Sequence, residues 1–344
     1  MKKAVILFNL GGPDKLENIE PFLFNLFNDP AILSVPGFLR YLFAQLISKK
    51  RTPIAKKIYK KIGGNSPILK LTNKQSASLE KKLNDNNKQD IYKCFVVMRY
   101  WGPRAESVLN IVKEFNPDEM ILLPLYPQYS TSTSGSSIKE WHDVCSKNNY
   151  QKPAKTICCY PTETEFLNAH VSLINNELKN LNNFRLIFSA HGLPERNIKR
   201  GDPYQWQVEQ SVNKITEQLN ISNLDWILSY QSRVGILKWI GPFTDDEIVK
   251  SAKLNKTIVV VPISFVSEHS ETLVELDMEY KKLAEQNGCE NFIRIPALGT
   301  RHEFISSLAN LVFQSSLLEK RSDIYHPLSK CPYDFKKCPC SDKL

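Results

Sequence analysis

Two strongly apolar segments of this sequence each run directly into residues that can hold a metal and move protons. Residues 185–189 lead to His191, and residues 258–265 lead to Glu268, His269 and Glu271. An imidazole facing carboxylates offers nitrogen and oxygen ligands suited to a divalent first-row ion, and imidazoles exchange protons near neutral pH. Ligands of open parallel α/β sheets collect where the strands end. Both clusters are therefore expected to face one crevice, and the chemistry they point to is metal handling coupled to proton transfer.

The segment 267–280, laid on a helix of 3.6 residues per turn, places Leu273, Leu276 and Tyr280 on a buried stripe with His269 on the same side. Glu271, Glu275 and Glu279, spaced i, i+4, i+8, form a ladder on another face, with Glu268 near it. Such ladders are usually solvated faces, where like charges cost about 0.2–0.5 kcal/mol per pair. A cation path is the competing reading, because this ladder begins at a strand end. His191 precedes Gly192-Leu193-Pro194, which prevents an immediate helix and leaves the strand end open.

Further polar and aromatic candidates follow other strands. They are Arg99 and Tyr100, Tyr126 with Gln128-Tyr129-Ser130, Gln231-Ser232-Arg233, and Trp239 before Ile240-Gly241-Pro242. Residues 130–137 are almost entirely hydroxyl-bearing or Gly, a composition that either cradles carboxylates and phosphates or makes a flexible linker. The pairs Gly11-Gly12 and Gly63-Gly64 fit neither the dinucleotide fingerprint nor a Walker loop, so they read as tight turns and no nucleotide is expected.

The elements that must position these residues occur as two similar series. The first half offers AVILFNL, YKCFVVMRY and MILLPLYP, and the second FRLIFSA, DWILSYQ and TIVVVPISF, with amphipathic helical segments between them. Continuous apolar strands alternating with helices indicate α/β architecture, parallel sheets flanked by helices. The series therefore predict two Rossmann-like lobes with a cleft between them. The expected boundaries are 1–155, 156–322 and a Cys-containing tail over 323–344, with a junction near 150–165 where the chain turns polar and reaches Pro161.

A length of 344 residues fits about two domains. The net charge of +9 favours an acidic partner, but there is no recognition helix, zinc-finger spacing or RNP motif, and nucleic acid is discounted. The first strand begins almost at Met1, which leaves no room for a secretory leader. No stretch approaches the roughly 20 apolar residues of a membrane span. A cytoplasmic protein is expected. Within 30–51, Ile32, Leu33, Val35, Phe38, Leu39, Leu42 and Phe43 form an apolar patch followed by Lys49, Lys50 and Arg51. That pattern fits either core packing or a peripheral contact with an anionic membrane. Of the eight cysteines, Cys331, Cys338 and Cys340 crowd the C-terminus, which in a reducing compartment suggests a metal rather than disulfides.

Taken in order, LFNLGGPD, RTP…YKKIGGNSPI, VMRYWGP, LYPQYSTSTSGSS, FSAHGLPE, YQSRVG…WIGP and VPISFVSEHSETLVELDMEY resemble the ferrochelatases over nearly the whole chain. The resemblance implies a lyase that inserts ferrous iron (Fe2+) into protoporphyrin IX to make protohaem, the last step of haem biosynthesis, with the porphyrin between two lobes. It implies that His191 is a metal ligand and pyrrole-proton acceptor, that Glu271 is its partner carboxylate, and that Glu275 and Glu279 are an acidic path. His269 takes the position of a second active-site histidine, although regular helix geometry separates it from the ladder. Arg99, Tyr100, Tyr126, Ser130 and Trp239 resemble residues that line the macrocycle or hold its propionates.

The resemblance also implies that the apolar segment 30–51 is an entrance lip touching the inner face of the cytoplasmic membrane, and it suggests a homodimer. Some family members carry a [2Fe-2S] cluster on C-terminal cysteines plus one internal cysteine. Cys331, Cys338 and Cys340 could supply three ligands. The usual internal position falls on Ala169, so Cys158 or Cys159 would have to substitute. Two other readings stand beside this one: a sister chelatase acting on coproporphyrin or another metal such as cobalt, and a noncatalytic porphyrin or metal carrier.

Overall fold

The computed structural model describes residues 1–87, 89–235, 237–317, 324–325, 331–332 and 334–341. Its contacts divide the chain into two compact units, Met1–Cys159 with Leu308–Pro327 and Tyr160–Ser307 with Leu328–Leu344. The helix His302–Ser316 begins in the second unit and ends in the first, whereas the sequence places it wholly in the second lobe. The expected tail over 323–344 lies partly outside the described residues.

The first unit contains a parallel sheet of β1 (Lys2–Asn9), β2 (Ile91–Met98), β3 (Glu119–Pro124), β4 (Ala154–Ile157) and the two-residue β9 (Ile324–Tyr325), in the order β2-β1-β3-β4-β9. β1 is buried at every position after Lys2, as a strand covered on both faces must be. Ala4, Ile6 and Phe8 share one face with Val97 and Leu122, covered by the helices Ala105–Phe115 and Ser134–Lys147 through Leu109, Val112 and Trp141.

The second unit repeats the scheme with β5 (Phe184–His191), β6 (Trp226–Gln231), β7 (Thr257–Pro262) and β8 (Phe292–Arg294), ordered β6-β5-β7-β8. In each unit the first strand is central, flanked by the second and third, with the fourth beyond the third. This shared order is the duplication that the two strand series suggest. The six apolar strands appear where the sequence places them. β4, β8 and β9 lie outside the two strand series, because strands of 4, 3 and 2 residues are too short to carry an apolar run of their own.

The segment 267–280 departs from the expected regular helix. Residues 271–280 form a π-helix, Glu271–Tyr280, followed by the α-helix Lys281–Gln286, and His269 precedes both. Thr272, Val274 and Leu276 are buried, so Leu276 keeps its expected inward place, while Leu273 is half-buried, as is Tyr280, which packs against the same core. At the start of this helix, His269 N–H donates to Thr272 Oγ1, and the Thr272 hydroxyl contacts the His269 carbonyl, 3.0 and 3.1 Å away. π-turns are frequent at functional sites.

The helix Gly37–Lys60 buries Ala44, Ser48, Thr52 and Tyr59 and leaves Phe38, Leu42, Phe43 and Leu46 exposed. Leu39, expected in the exposed patch, is half-buried. Among the described residues no helix is long and apolar enough to cross a membrane.

Candidate active site

His191 ends β5, and its orientation is set by the chain that follows. Gly192 N–H donates to the Gln231 carbonyl of β6 at 2.9 Å. A Cβ at Gly192 would sit 3.0 Å from that same oxygen and 3.2 Å from the Trp239 ring, so only glycine fits without displacing either. The His191 ring then reaches the Gly192 carbonyl through Nδ1 at 2.7 Å. A carbonyl can only accept, so Nδ1 carries a proton and Nε2 is left to face the site.

Nε2 of His191 lies 3.7 Å from Glu271 Oε1. The other oxygen of the same carboxylate, Oε2, lies 3.4 Å from Nε2 of His269. The His269 ring is oriented in the same way, with Nδ1 3.2 Å from the Ser267 carbonyl, and it packs against Phe265. The two imidazoles therefore bracket one carboxylate, each with Nε2 inward. This corrects the regular-helix picture that separates His269 from the ladder: because the helix begins only after His269, that residue stays beside Glu271. Burial alone would raise the Glu271 carboxyl, but the neighbouring imidazoles of His191 and His269 outweigh it and hold the group at about 2.

Glu275 is the next rung. Its Oε1 accepts from Ser232 N–H at 3.0 Å and Tyr280 O–H at 3.1 Å, and its Oε2 accepts from Gln231 Nε2 at 3.0 Å and from the Ser232 hydroxyl. Burial and the neighbouring Glu271 charge push Glu275 upward from the carboxylate range, against the hydrogen bonds from Ser232 and Gln231 that favour its anion. Glu279 is exposed. A cavity of about 240 Å³ reaches from Glu275 to Glu279, with Arg233, Asp245 and Tyr280 in its walls.

Glu268 does not join this group, contrary to the clustering in sequence. Its Oε1 takes Arg294 Nη1 and the Ala297 N–H, while Arg294 also grips Asp277 with Nε and Nη2. This Glu268–Arg294–Asp277 fork pins the entry and middle of the π-helix. Residue 294 lies too far along the sequence for spacing to reveal it.

Trp239 stands beside His191, with ring centroids 6.4 Å apart, and its indole N–H donates to the Val234 carbonyl. In the first unit, Arg99 donates to Ser136 Oγ at 2.8 Å, Glu140 at 3.0 Å and Asp29 at 2.8 Å. Tyr100 O–H also donates to Asp29, at 2.8 Å, and Ser136 contacts the same oxygen. Ser130 is buried, its hydroxyl 2.9 Å from that of Ser132. The 130–137 run is thus a packed turn into a helix, not a flexible linker. Tyr126 is half-buried, and burial pushes its phenol upward. Asp29 and Glu140, the partners that commit Arg99, carry no local sequence signal.

In the tail, Cys331 and Cys338 are buried, and the sulfurs of Cys338 and Cys340 lie within 4.8 Å of each other. Gln207 Nε2 lies 3.3 Å from Cys331 Sγ.

The chain repeats a parallel α/β unit, and in the second unit a His–Glu–His cluster lies beyond the strand ends. SirB from Bacillus subtilis, solved with Fe3+, shares the fold with a TM-score of 0.55 at 12% identity, over 92% of this chain and 96% of that one. DR2241 from Deinococcus radiodurans matches with a TM-score of 0.51 at 8% identity, over 93% of this chain and 56% of its own. The ferrochelatase family model matches residues 2–316. The ferrochelatase of Pelagibacter ubique (strain HTCC1062) is 66% identical over 340 residues, 99% of each chain. That of Rickettsia prowazekii (strain Madrid E) is 48% identical over 340 residues, 98% of each. The chain belongs to the ferrochelatase family.

Proposed function

We propose that, in inserting ferrous iron into protoporphyrin IX to form protohaem, this enzyme uses His191 as metal ligand and proton acceptor and Glu271 as the carboxylate opposite it. The reaction makes nitrogen–metal bonds, as a lyase, and releases two pyrrole protons for each iron inserted. The observation that carries this reading is the carboxylate of Glu271 shared by two imidazoles through different oxygens. With Nδ1–H held by a carbonyl, the Nε2 lone pair of His191 is the open base. A proton accepted there makes an imidazolium, which the Glu271 anion stabilises. His269 supports the second face of that anion. Nitrogen and oxygen donors hold ferrous iron loosely enough to release it, unlike a set of thiolates.

From Glu271 the ladder continues through Glu275 to the exposed Glu279, and we assign it the passage of cations, protons outward or iron inward. Trp239 and Tyr126 keep accessible ring surface suited to a macrocycle. The burial of Tyr100 and Ser130, and the commitment of Arg99 to Asp29, Ser136 and Glu140, favour a supporting role behind the substrate surface. The test is an anaerobic assay with protoporphyrin IX and Fe2+, following porphyrin fluorescence. Wild type is expected to turn over and His191→Ala to lose at least about 100-fold. Undiminished turnover by that variant overturns the assignment, and stoichiometric quenching by both proteins would favour the carrier reading.

The closeness of the Cys338 and Cys340 sulfurs, within 4.8 Å, supports a [2Fe-2S] cluster on Cys331, Cys338 and Cys340. These three thiolates would hold it, with Cys158 or Cys159 as the fourth. A colourless protein free of iron and sulfide after anaerobic purification contradicts this. The exposed Phe38, Leu42, Phe43 and Leu46 beside Lys49 and Lys50 support peripheral binding to an anionic membrane, at the inner face of the cytoplasmic membrane. Anionic vesicles are expected to sediment the wild type and to lose a Phe38→Ser, Leu42→Ser variant. Equal binding by both removes the claim, and a variant that instead dissociates from a dimer assigns the face to a second copy.

A further inference from the structure

In the second unit, the two loops that carry the catalytic candidates meet on one phenol. Tyr204 Oη lies 3.0 Å from the carbonyl oxygen of His191 and 3.1 Å from Ser264 Oγ. A carbonyl can only accept, so the phenol proton goes to His191, and the Ser264 hydroxyl donates to the phenol oxygen. His191 closes β5, while Ser264 sits in the turn after β7, on the segment that continues to His269 and Glu271.

The ladder between β5 and β7 runs to Ser189 and Pro262, with a last main-chain bond from Ile263 N–H to the Ser189 carbonyl at 3.1 Å. Beyond it, Tyr204 continues the connection between the two strand ends, at the level where imidazole and carboxylate face each other. A ring buried to 6% exposure gives that bridge a fixed anchor.

The helix carrying this ring, Tyr204–Leu219, is itself seated by the tail. Tyr204 N–H donates to Asp202 Oδ1 at 3.1 Å. Gly201, at φ 89°, packs so closely on the tail that a Cβ would lie 2.9 Å from Lys336 N, and its carbonyl accepts from Lys337 N–H at 3.1 Å. Trp206 packs on Phe335 with ring centroids 5.4 Å apart, and Gln207 reaches Cys331.

We propose that Tyr204 is a positioning residue for metal insertion, its phenol fixing the spacing between His191 and Glu271, and that the tail seats the helix start from which it acts. This rests on the roles assigned above to His191 and Glu271. The test is steady-state iron insertion by Tyr204→Phe, which keeps the ring and its packing, with Ser264→Ala, the double variant and His191→Ala measured alongside.

Tyr204→Phe is expected to lower kcat about tenfold, with the porphyrin KM unchanged and the melting temperature close to wild type. Ser264→Ala should lose less. The double variant should be no worse than Tyr204→Phe alone, because both break one bridge. Wild-type kcat in Tyr204→Phe, a kcat loss matched by an equal loss of folded protein, or additive losses in the double variant would overturn the proposal. If His191→Ala is inactive while Tyr204→Phe is normal, only this proposal fails; if His191→Ala is active, the site reading fails and takes the proposal with it.

Discussion

Both units place charged side chains just beyond the ends of parallel strands, yet they use them in opposite ways. In the first unit, Arg99 follows β2 and gives its donors to Asp29, Ser136 and Glu140, while Tyr100 closes on the same Asp29 oxygen. In the second, His191 ends β5 with Nε2 3.7 Å from a carboxylate, longer than a formed hydrogen bond, and a second imidazole approaches the same carboxylate to 3.4 Å. In the first arrangement the donors of Arg99 and Tyr100 are already committed to acceptors within the unit. The second leaves base and acid groups near each other with capacity for a further ligand. A strand end is thus a place where charged groups can gather, and the two units differ in how far those groups are already committed to partners of their own.

The largest effect expected from breaking this contrast is on stability. Asp29→Ala strips a buried guanidinium and a buried phenol of a shared acceptor, and breaking such a pair costs about 3–5 kcal/mol. Denaturant unfolding should show that loss while activity per folded molecule changes far less. A collapse of activity without loss of stability would mean that the first unit's network takes part in the reaction.

His170 sharpens the contrast from the other side. It is buried in the helix Thr164–Leu178, and neither ring nitrogen has a hydrogen-bond partner among the described residues. Burial pulls its pKa down to about 3, below the ordinary value near 6.5, so the fold accepts only the neutral ring. The unfolded chain then binds more protons between those values. The stabilisation is complete above pH 6.5 and is lost as pH falls toward 3, by up to about 1.4 kcal/mol per unit. Unfolding measured from pH 7 to 5 should show this slope, and His170→Phe should flatten it. An unchanged slope in the variant would assign the acid sensitivity to other groups.

The smallest effect is expected at the outer end of the ladder. Glu279→Gln changes an exposed carboxylate, and screening limits its influence on iron turnover to about threefold at 0.15 M salt. A loss comparable to that at Glu271 would move the rate-determining passage outward.

Much of this was legible in the sequence because it is local. Apolar runs gave the six principal strands, and the Gly192-Leu193-Pro194 stop marked His191 as a strand-end residue. What stayed hidden depends on partners far along the chain. Glu268 reads as a member of the acidic cluster until Arg294 claims it, and nothing near Arg99 in the sequence shows that Asp29 and Glu140 are its partners. The π-helix was equally hidden, since a 3.6-residue period cannot register where the helix starts or that its turns widen, and that start is what leaves His269 beside Glu271. Tyr204 gives no signal because its partners, the His191 carbonyl and Ser264, lie 13 and 60 residues away in the sequence.

The central claim is that Glu271, held between His191 and His269, serves insertion rather than binding. The measurement is protoporphyrin affinity and iron turnover in Glu271→Gln, which keeps the shape of the side chain and removes its charge. The account predicts porphyrin binding within about twofold of wild type and turnover reduced by at least about 100-fold. Turnover near the wild-type rate would contradict it.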